Sequence, residues 1–120
     1  MLNKICLFAA LVFPWTAYAD PRLCYPDVTQ VPRDAAGNIK RSTAQRAMFV
    51  RDWPCPATHE VTGSCPGWAV DHIIPLAVGG CDAPQNMQWL PLVIKSCASP
   101  SCKDRWERKV YARPQQDAPL

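Results

Sequence analysis

The 120-residue sequence has little net charge, few glycines and no long hydrophobic run beyond its first residues. Its 13 Lys and Arg residues nearly balance 10 Asp and Glu residues, which excludes a strongly basic protein that coats nucleic acid and an acidic disordered tail. Only 5 glycines accompany 13 prolines, and so many prolines disfavour long uninterrupted helices and strands. The sequence also lacks repeats and low-complexity tracts. A hydrophobic content of 48% is that of a chain that folds, and the length predicts one domain.

The first 19 residues have the features of an export signal. Lys4 supplies a positive charge, residues 5–13 form an apolar run too short to span a bilayer, and an Ala-Tyr-Ala motif ends at Ala19. We therefore expect cleavage after Ala19 and a periplasmic or secreted product, residues 20–120, with no membrane attachment. An uncleaved membrane anchor is the alternative.

Six cysteines follow the predicted signal, and an even number in an exported chain of this size is typical of three disulfides. They are Cys24, Cys55, Cys65, Cys81, Cys97 and Cys102. Many connectivities are open. Close spacing and flanking Pro, Gly and Ser residues favour two small loops, Cys55–Cys65 and Cys97–Cys102. The Cys24–Cys81 bridge would then close the longest loop and contribute about 4 kcal/mol in the loop-entropy model. A zinc site on Cys55, His59 and Cys65 is the alternative for the first loop.

Local signals divide the chain beyond the signal into three parts. They are a polar arm with a short helix (20–52), a core (53–113) and a loose tail (114–120). The short helix is predicted over 43–52. It begins at Ser42, which forms a capping box with Gln45: the Ser42 hydroxyl caps the first turn and the Gln45 side chain reaches back.

The core contains two predicted strands and a helix. A β-branched apolar run over 68–74 predicts a strand, and residues 87–90 predict a second short strand or the start of a helix. A last helix is predicted over 103–112. Three tryptophans are interpreted as core residues because large aromatic side chains gain most from burial. They are Trp68, Trp89 and Trp106.

Four short motifs that contain polar side chains follow one another through this core. They are Asp-His-Ile-Ile-Pro-Leu at 71–76, Gly-Gly-Cys-Asp at 79–82, Asn-Met-Gln at 86–88 and Lys-Asp-Arg-Trp-Glu at 103–107. In this order and spacing the motifs resemble those of the HNH endonucleases, the ββα-metal or His-Me finger group, and the resemblance covers residues 53–108. It implies an α+β fold with a small ββα-metal core, and a metal-dependent endonuclease that hydrolyses phosphodiester bonds of DNA or RNA.

The resemblance also implies a role for three residues of these motifs. His72 would be the general base that takes a proton from the attacking water, and Asp71 would bind a divalent metal. Asn86 would pin the loop and help to orient His72. The metal is expected to be Mg²⁺, with Mn²⁺ or Zn²⁺ as alternatives. Asp82 and Gln88 are interpreted as hydrogen-bonding residues rather than catalysts.

The sequence departs from the family where a further metal ligand, an Asn or His of the final helix, is usual. Counting from Asn86 without a gap reaches Lys95, whereas aligning on the Lys-Asp-Arg-Trp-Glu motif reaches Pro100. Neither residue is a metal ligand. Asp104 and Glu107 are the nearby carboxylates that can take over, since Mg²⁺ often uses few protein ligands.

Lys103 and Arg105 are candidate contacts to nucleic-acid phosphates at the start of the final helix, and a solvated helix surface is the alternative. The sequence as a whole predicts an exported, monomeric, disulfide-stapled nuclease. Little net charge predicts weak sequence preference and salt-dependent binding through phosphates. Three alternatives stay open: a catalytically degenerate envelope module that binds nucleic acid or protein, a secreted nuclease toxin with an immunity or inhibitor protein, and a disulfide-rich structural module.

Overall fold

A computed structural model of the chain describes residues 19–111, together with positions 12 and 14. Most of the predicted export signal and all of the predicted tail lie outside these residues. The described part is a small mixed α+β structure with one two-stranded antiparallel sheet, helices and three disulfides. None of its helices is both long enough and apolar enough to span a bilayer.

The helices and strands follow the predicted order, with one addition. They are α1 (Thr43–Asp52), β1 (Trp68–His72), β2 (Met87–Pro91), α2 (Leu92–Lys95) and α3 (Lys103–Tyr111). The second predicted element is a strand, and the short helix α2 follows it directly. The first strand ends at His72, two residues earlier than predicted, because the next backbone groups bond to Asn86 instead of to a neighbouring strand.

The connecting loop between the strands (residues 73–86) is held in shape by one buried side chain. β1 and β2 pair so that Trp68 lies opposite Pro91 and His72 opposite Met87. Asn86 is fully buried at the end of the loop. Its Nδ2 donates to the carbonyls of Ile74 and Cys81, at 2.9 and 2.8 Å, and its Oδ1 accepts from the Ile74 N–H at 2.9 Å. The loop therefore returns beside the end of β1.

Two glycines allow the connecting loop to pack this tightly. Gly79 has φ +95°, and a Cβ there would collide with the carbonyl of Tyr25. A Cβ at Gly80 would collide with the Ile74 carbonyl and lie 2.8 Å from the Asn86 amide nitrogen. The N-terminal arm thus packs directly on the loop, and the amides of Cys24 and Tyr25 both donate to the Gly79 carbonyl at 2.9 Å.

Ser42 caps the N-terminus of helix α1, as predicted, and its hydroxyl accepts from the Gln45 N–H. The second contact of the predicted capping box, in which the Gln45 side chain reaches back to Ser42, is wrong. The Ser42 N–H donates to the Asp82 carboxylate rather than to the Gln45 side chain. A carboxylate is the stronger acceptor, and the connecting loop places it at the start of the helix. The loop and α1 are therefore joined next to His72.

The hydrophobic core lies between α1 and the sheet. Phe49, Val50 and Met87 are buried there, with Val70 and Trp89 packed against them. Trp68 is also half-buried. The core placement predicted for Trp106 is wrong, because this side chain is 48% exposed. The half-buried face of α3 is polar: it comprises Lys103, Asp104, Glu107 and Tyr111. Ion pairs turn that face inward, so Trp106 lies at its edge, with its ring against Tyr111.

The three disulfides are the pairs that the spacing favoured: Cys24–Cys81, Cys55–Cys65 and Cys97–Cys102. The zinc alternative is wrong in this structure, since the Cys55–Cys65 bridge consumes both thiolates. Cys24–Cys81 ties the arm to the connecting loop, and Cys97–Cys102 closes the turn between α2 and α3. Disulfides are typical of oxidising compartments such as the periplasm or the extracellular medium.

Candidate active site

Asp71 and His72 line the same pocket at the end of β1. The pocket has a volume of about 430 Å³, and its wall also includes Lys95, Asp104 and Glu107 from the C-terminal helices. Adjacent strand residues ordinarily point to opposite faces of a sheet. Here α2 and α3 wrap around the end of β1, and the strand ends at His72, so both side chains reach one cavity.

Asp71 is 2% exposed and is surrounded by hydrogen-bond donors. Lys95 Nζ lies 3.0 Å from Oδ1, while Lys103 Nζ and Gln88 Nε2 lie 2.8 and 3.0 Å from Oδ2. Burial raises the pKa of Asp71, but hydrogen bonds from Lys103, Gln88 and Lys95 together lower it by more, so the pKa lies below its ordinary value of 3.8. Asp71 is therefore a carboxylate at neutral pH.

The two lysines carry the ion-pair network onward to the other predicted metal ligands. Lys95 Nζ also donates to Asp104 Oδ1 at 2.9 Å. Lys103 Nζ also donates to the His72 carbonyl at 2.8 Å and lies 2.6 Å from Glu107 Oε1. Burial lowers the pKa of Lys95, but its hydrogen bonds to Asp104 and Asp71 raise it by more, so the ammonium stays charged.

The three predicted metal ligands therefore come together, but with ammonium groups between them. Lys95 bridges Asp71 and Asp104, and Lys103 bridges Asp71 and Glu107. Within residues 19–111, no three His, Cys, Asp or Glu side chains form a group that could hold a metal ion. A divalent cation would bind these carboxylates only by displacing an ammonium group, so the donor set does not fit a metal as arranged.

His72 is held by a carboxylate that the sequence interpretation did not place in the site. The Nε2 atom of His72 lies 3.0 Å from Asp82 Oδ1. A carboxylate only accepts hydrogen bonds, so Nε2 is the donor in this contact, and Nδ1 has the lone pair when the ring is neutral. The other oxygen of Asp82 accepts from the Ser42 N–H. The connecting loop and α1 thus fix one tautomer of His72, which is the arrangement that a general base needs.

Asn86 lies at the end of the connecting loop, directly before β2. Its side chain pins the connecting loop, and its carbonyl accepts from the Ile73 N–H at 2.8 Å, one residue beyond His72. The connection between Asn86 and the end of β1 therefore runs through the backbone as well as through the Asn86 side chain.

The cations on the pocket wall differ from the predicted phosphate contacts. Lys103 directs its ammonium group to Asp71, Glu107 and the His72 carbonyl, and Arg105 is exposed outside the pocket. Arg41 and Arg108 line the pocket instead, and neither forms an ion pair with another residue of 19–111. The sequence feature that could have placed Arg108 in the site is its i+4 spacing from Asp104, because this spacing puts both residues on one helix face.

Replacing Asp71 by asparagine should lower the free energy of unfolding by about 2 kcal/mol at neutral pH, because Lys95 and Lys103 lose a charged partner but keep some solvent contact. The pKa of Asp71 is depressed, so its contribution is present above 3.8 and is lost as the pH falls through the folded-state pKa. Urea denaturation across this range should show the difference from wild type shrinking in acid.

The matched control for Asp71→Asn is Asp52→Asn. Asp52 is exposed at the end of α1 and takes part in no ion pair among the described residues. Its replacement should change stability little at any pH. Equal effects of the two substitutions, or a difference that persists unchanged in strong acid, would contradict the ion-pair account.

The site is assembled from consecutive parts of the chain. β1 provides Asp71 and His72, the connecting loop provides Asp82, and α2 and α3 provide Lys95 and Glu107 in turn. The segment just before α1 adds Ile39 and Arg41 to the pocket wall. Comparison of the chain with protein-family models, with curated proteins and with solved structures found no match in any of the three.

Proposed function

We propose that the chain is an exported endonuclease of the HNH type that hydrolyses phosphodiester bonds of DNA or RNA, with His72 as the general base. The observation that carries the proposal is the His72–Asp82 hydrogen bond beside a pocket that three cations line. These are Arg41, Lys95 and Arg108. A base of fixed tautomer beside cations that attract a phosphate is what hydrolysis of a phosphodiester requires.

The proposed step needs one water and one phosphodiester. Nδ1 of His72 takes a proton from the water while the water oxygen forms a bond to phosphorus. The bond from phosphorus to the leaving sugar oxygen breaks, and that oxygen keeps the electron pair and takes a proton from solvent. The net reaction adds one water across the P–O bond. Asp82 stabilises the imidazolium that forms, since its carboxylate accepts from Nε2.

The arrangement of the elements supports the HNH assignment. An antiparallel pair of strands, with the Asp-His motif at the end of the first, is followed by helices that close the site. The asparagine of the Asn-Met-Gln motif pins the connecting loop, as the resemblance implies for a nuclease of this group. The three disulfides fit an exported nuclease that works in an oxidising compartment.

The oxidised protein, residues 20–120, should nick supercoiled plasmid or degrade single-stranded DNA or RNA. Cleavage should weaken steeply with added salt, because binding proceeds through phosphates. The assay is gel electrophoresis of each substrate, with activity required to co-elute with the protein on size exclusion. A folded, disulfide-intact preparation that leaves all three substrates intact in the presence and absence of Mg²⁺ or Mn²⁺ would exclude the nuclease.

A second candidate function is a module of the cell envelope that binds nucleic acid without cleaving it. The observation in its favour is the pair of lysine ammonium groups on Asp71, at the position where a nuclease of this group is expected to hold its metal. This candidate predicts salt-sensitive binding of nucleic acid without any product in the same assay.

A further inference from the structure

An ungapped alignment places a lysine where an HNH endonuclease usually has a further metal ligand, whereas alignment on the Lys-Asp-Arg-Trp-Glu motif places Pro100 there. Counting from Asn86 without a gap reaches Lys95. In the folded chain Lys95 is the last residue of α2, and its Nζ atom lies 3.0 Å from Oδ1 of Asp71. The two cations that contact this carboxylate, Lys95 and Lys103, are therefore part of the chain itself.

We infer that the Lys95 ammonium group replaces the divalent cation at this site and binds the scissile phosphate directly, so that cleavage needs no metal. This inference rests on the proposed phosphodiesterase function. In this arrangement Lys95 touches the substrate, whereas Asp71 is a positioning residue that holds Lys95 in place.

The hydrogen bonds of the two lysines assign them different tasks. An ammonium group has three N–H donors. Lys95 uses two of them, toward Asp71 and Asp104, and its side chain lines the pocket. Lys103 directs its donors to Asp71, Glu107 and the His72 carbonyl, and it is not part of the pocket wall. The third donor of Lys95 is thus the one available to a ligand, while Lys103 is structural.

The remaining charges of the pocket favour a phosphate over a free metal ion. Lys95 and Lys103 lie between three carboxylates, those of Asp71, Asp104 and Glu107, so Arg41 and Arg108 bring this group to one positive charge more than its carboxylates. Arg41 and Arg108 line the same pocket and form no ion pair within residues 19–111. A phosphate that enters the pocket meets these two guanidinium groups and the ammonium of Lys95. Cations placed in this way stabilise the charge that develops on the phosphate oxygens during attack by water.

Metal-stripped protein is the direct test. Plasmid cleavage is measured in excess EDTA, then with Mg²⁺ or Mn²⁺ in excess, for the wild type, Lys95→Met, Lys95→Arg and Lys109→Met. Lys109→Met is the matched control, because it removes an equal charge from an exposed position of α3 outside the pocket. The wild-type rate in EDTA should equal the wild-type rate with Mg²⁺ or Mn²⁺ in excess. Lys95→Met should lose on the order of 10²-fold in rate, whereas Lys109→Met should retain it. Lys95→Arg keeps the charge and should recover part of the rate.

A second measurement does not depend on activity. Mn²⁺ is titrated into the wild-type protein and followed by electron paramagnetic resonance. No Mn²⁺ should bind at the pocket. Binding of Mn²⁺ that Asp71→Asn abolishes, or cleavage that EDTA stops and Mg²⁺ restores, would overturn the inference and leave the nuclease proposal standing.

Absence of cleavage under every condition would instead reject the proposed nuclease. Binding of a fluorescent single-stranded oligonucleotide in EDTA would then decide the role of Lys95. Weaker binding by Lys95→Met than by Lys109→Met supports direct contact between Lys95 and phosphate. Equal binding by the two variants overturns it.

Discussion

His72→Ala should lower the rate of phosphodiester cleavage on the order of 10³-fold, because it removes the group that takes the proton from the attacking water. The buried Asp71 network does not depend on the His72 ring, since Lys103 bonds to the His72 backbone carbonyl, and the three cations of the pocket stay in place. Substrate affinity should therefore stay near that of the wild type. The rate is measured on a labelled oligonucleotide under single-turnover conditions, and affinity by fluorescence anisotropy.

His59→Ala is the matched control, because His59 is the other histidine of the sequence and lies exposed in the loop closed by Cys55–Cys65. It should cleave as the wild type does. Asp82→Asn keeps the shape of the His72 partner but removes the negative charge that stabilises the imidazolium, so it should lose rate while retaining affinity. Cleavage by His72→Ala at the wild-type rate would remove His72 from the mechanism.

The parts of the fold that could be predicted from the sequence depend on local signals. Ser42 and the residues after it begin a helix because a hydroxyl caps the first turn. The β-branched run that starts at Trp68 is a strand because such side chains suit a pleated, half-buried surface. The short disulfide loops follow from close spacing. Each of these elements is determined by residues that lie close together in the sequence.

The parts that could not be predicted depend on contacts between distant segments. Asp82 takes the Ser42 N–H across 40 residues, and Lys95 reaches Asp71 across 24. Helix α2 has only four residues and no side-chain cap, so its sequence carries little signal of its own. The ungapped count from Asn86 reaches Lys95, but its residue type excludes it as a metal ligand, so the sequence alone does not predict its contact with Asp71.

The error at Trp106 has a related physical cause. Helical spacing predicts correctly that one face of α3 turns inward. Hydrophobicity does not predict which face does so, because charged side chains of α3 can pair with a buried charge of the site. Asp71 attracts Lys103, and Glu107 follows on the same face at i+4. The ion pairs decide the orientation of the helix, and the tryptophan is left half-exposed.

Replacing Asn86 by alanine should lower the free energy of unfolding by on the order of 4 kcal/mol, a large part of the stability of a small domain. The Asn86 amide satisfies three backbone groups, namely the N–H and carbonyl of Ile74 and the carbonyl of Cys81. Asn86 is fully buried, and alanine would leave these groups without partners where water does not reach them. Urea denaturation followed by tryptophan fluorescence measures the loss.

Asn38→Ala is the matched control for Asn86→Ala, because Asn38 lies in an exposed turn and its side chain bonds only to Asp34. It should cost less than about 0.5 kcal/mol. A chain with Asn86→Ala that fails to form the Cys24–Cys81 disulfide would agree with the prediction, since Asn86 holds the Cys81 carbonyl in the connecting loop. Equal stability of the two variants would contradict it. The His72 backbone would then need another anchor than Asn86, because the Ile73 N–H that follows His72 bonds to the Asn86 carbonyl.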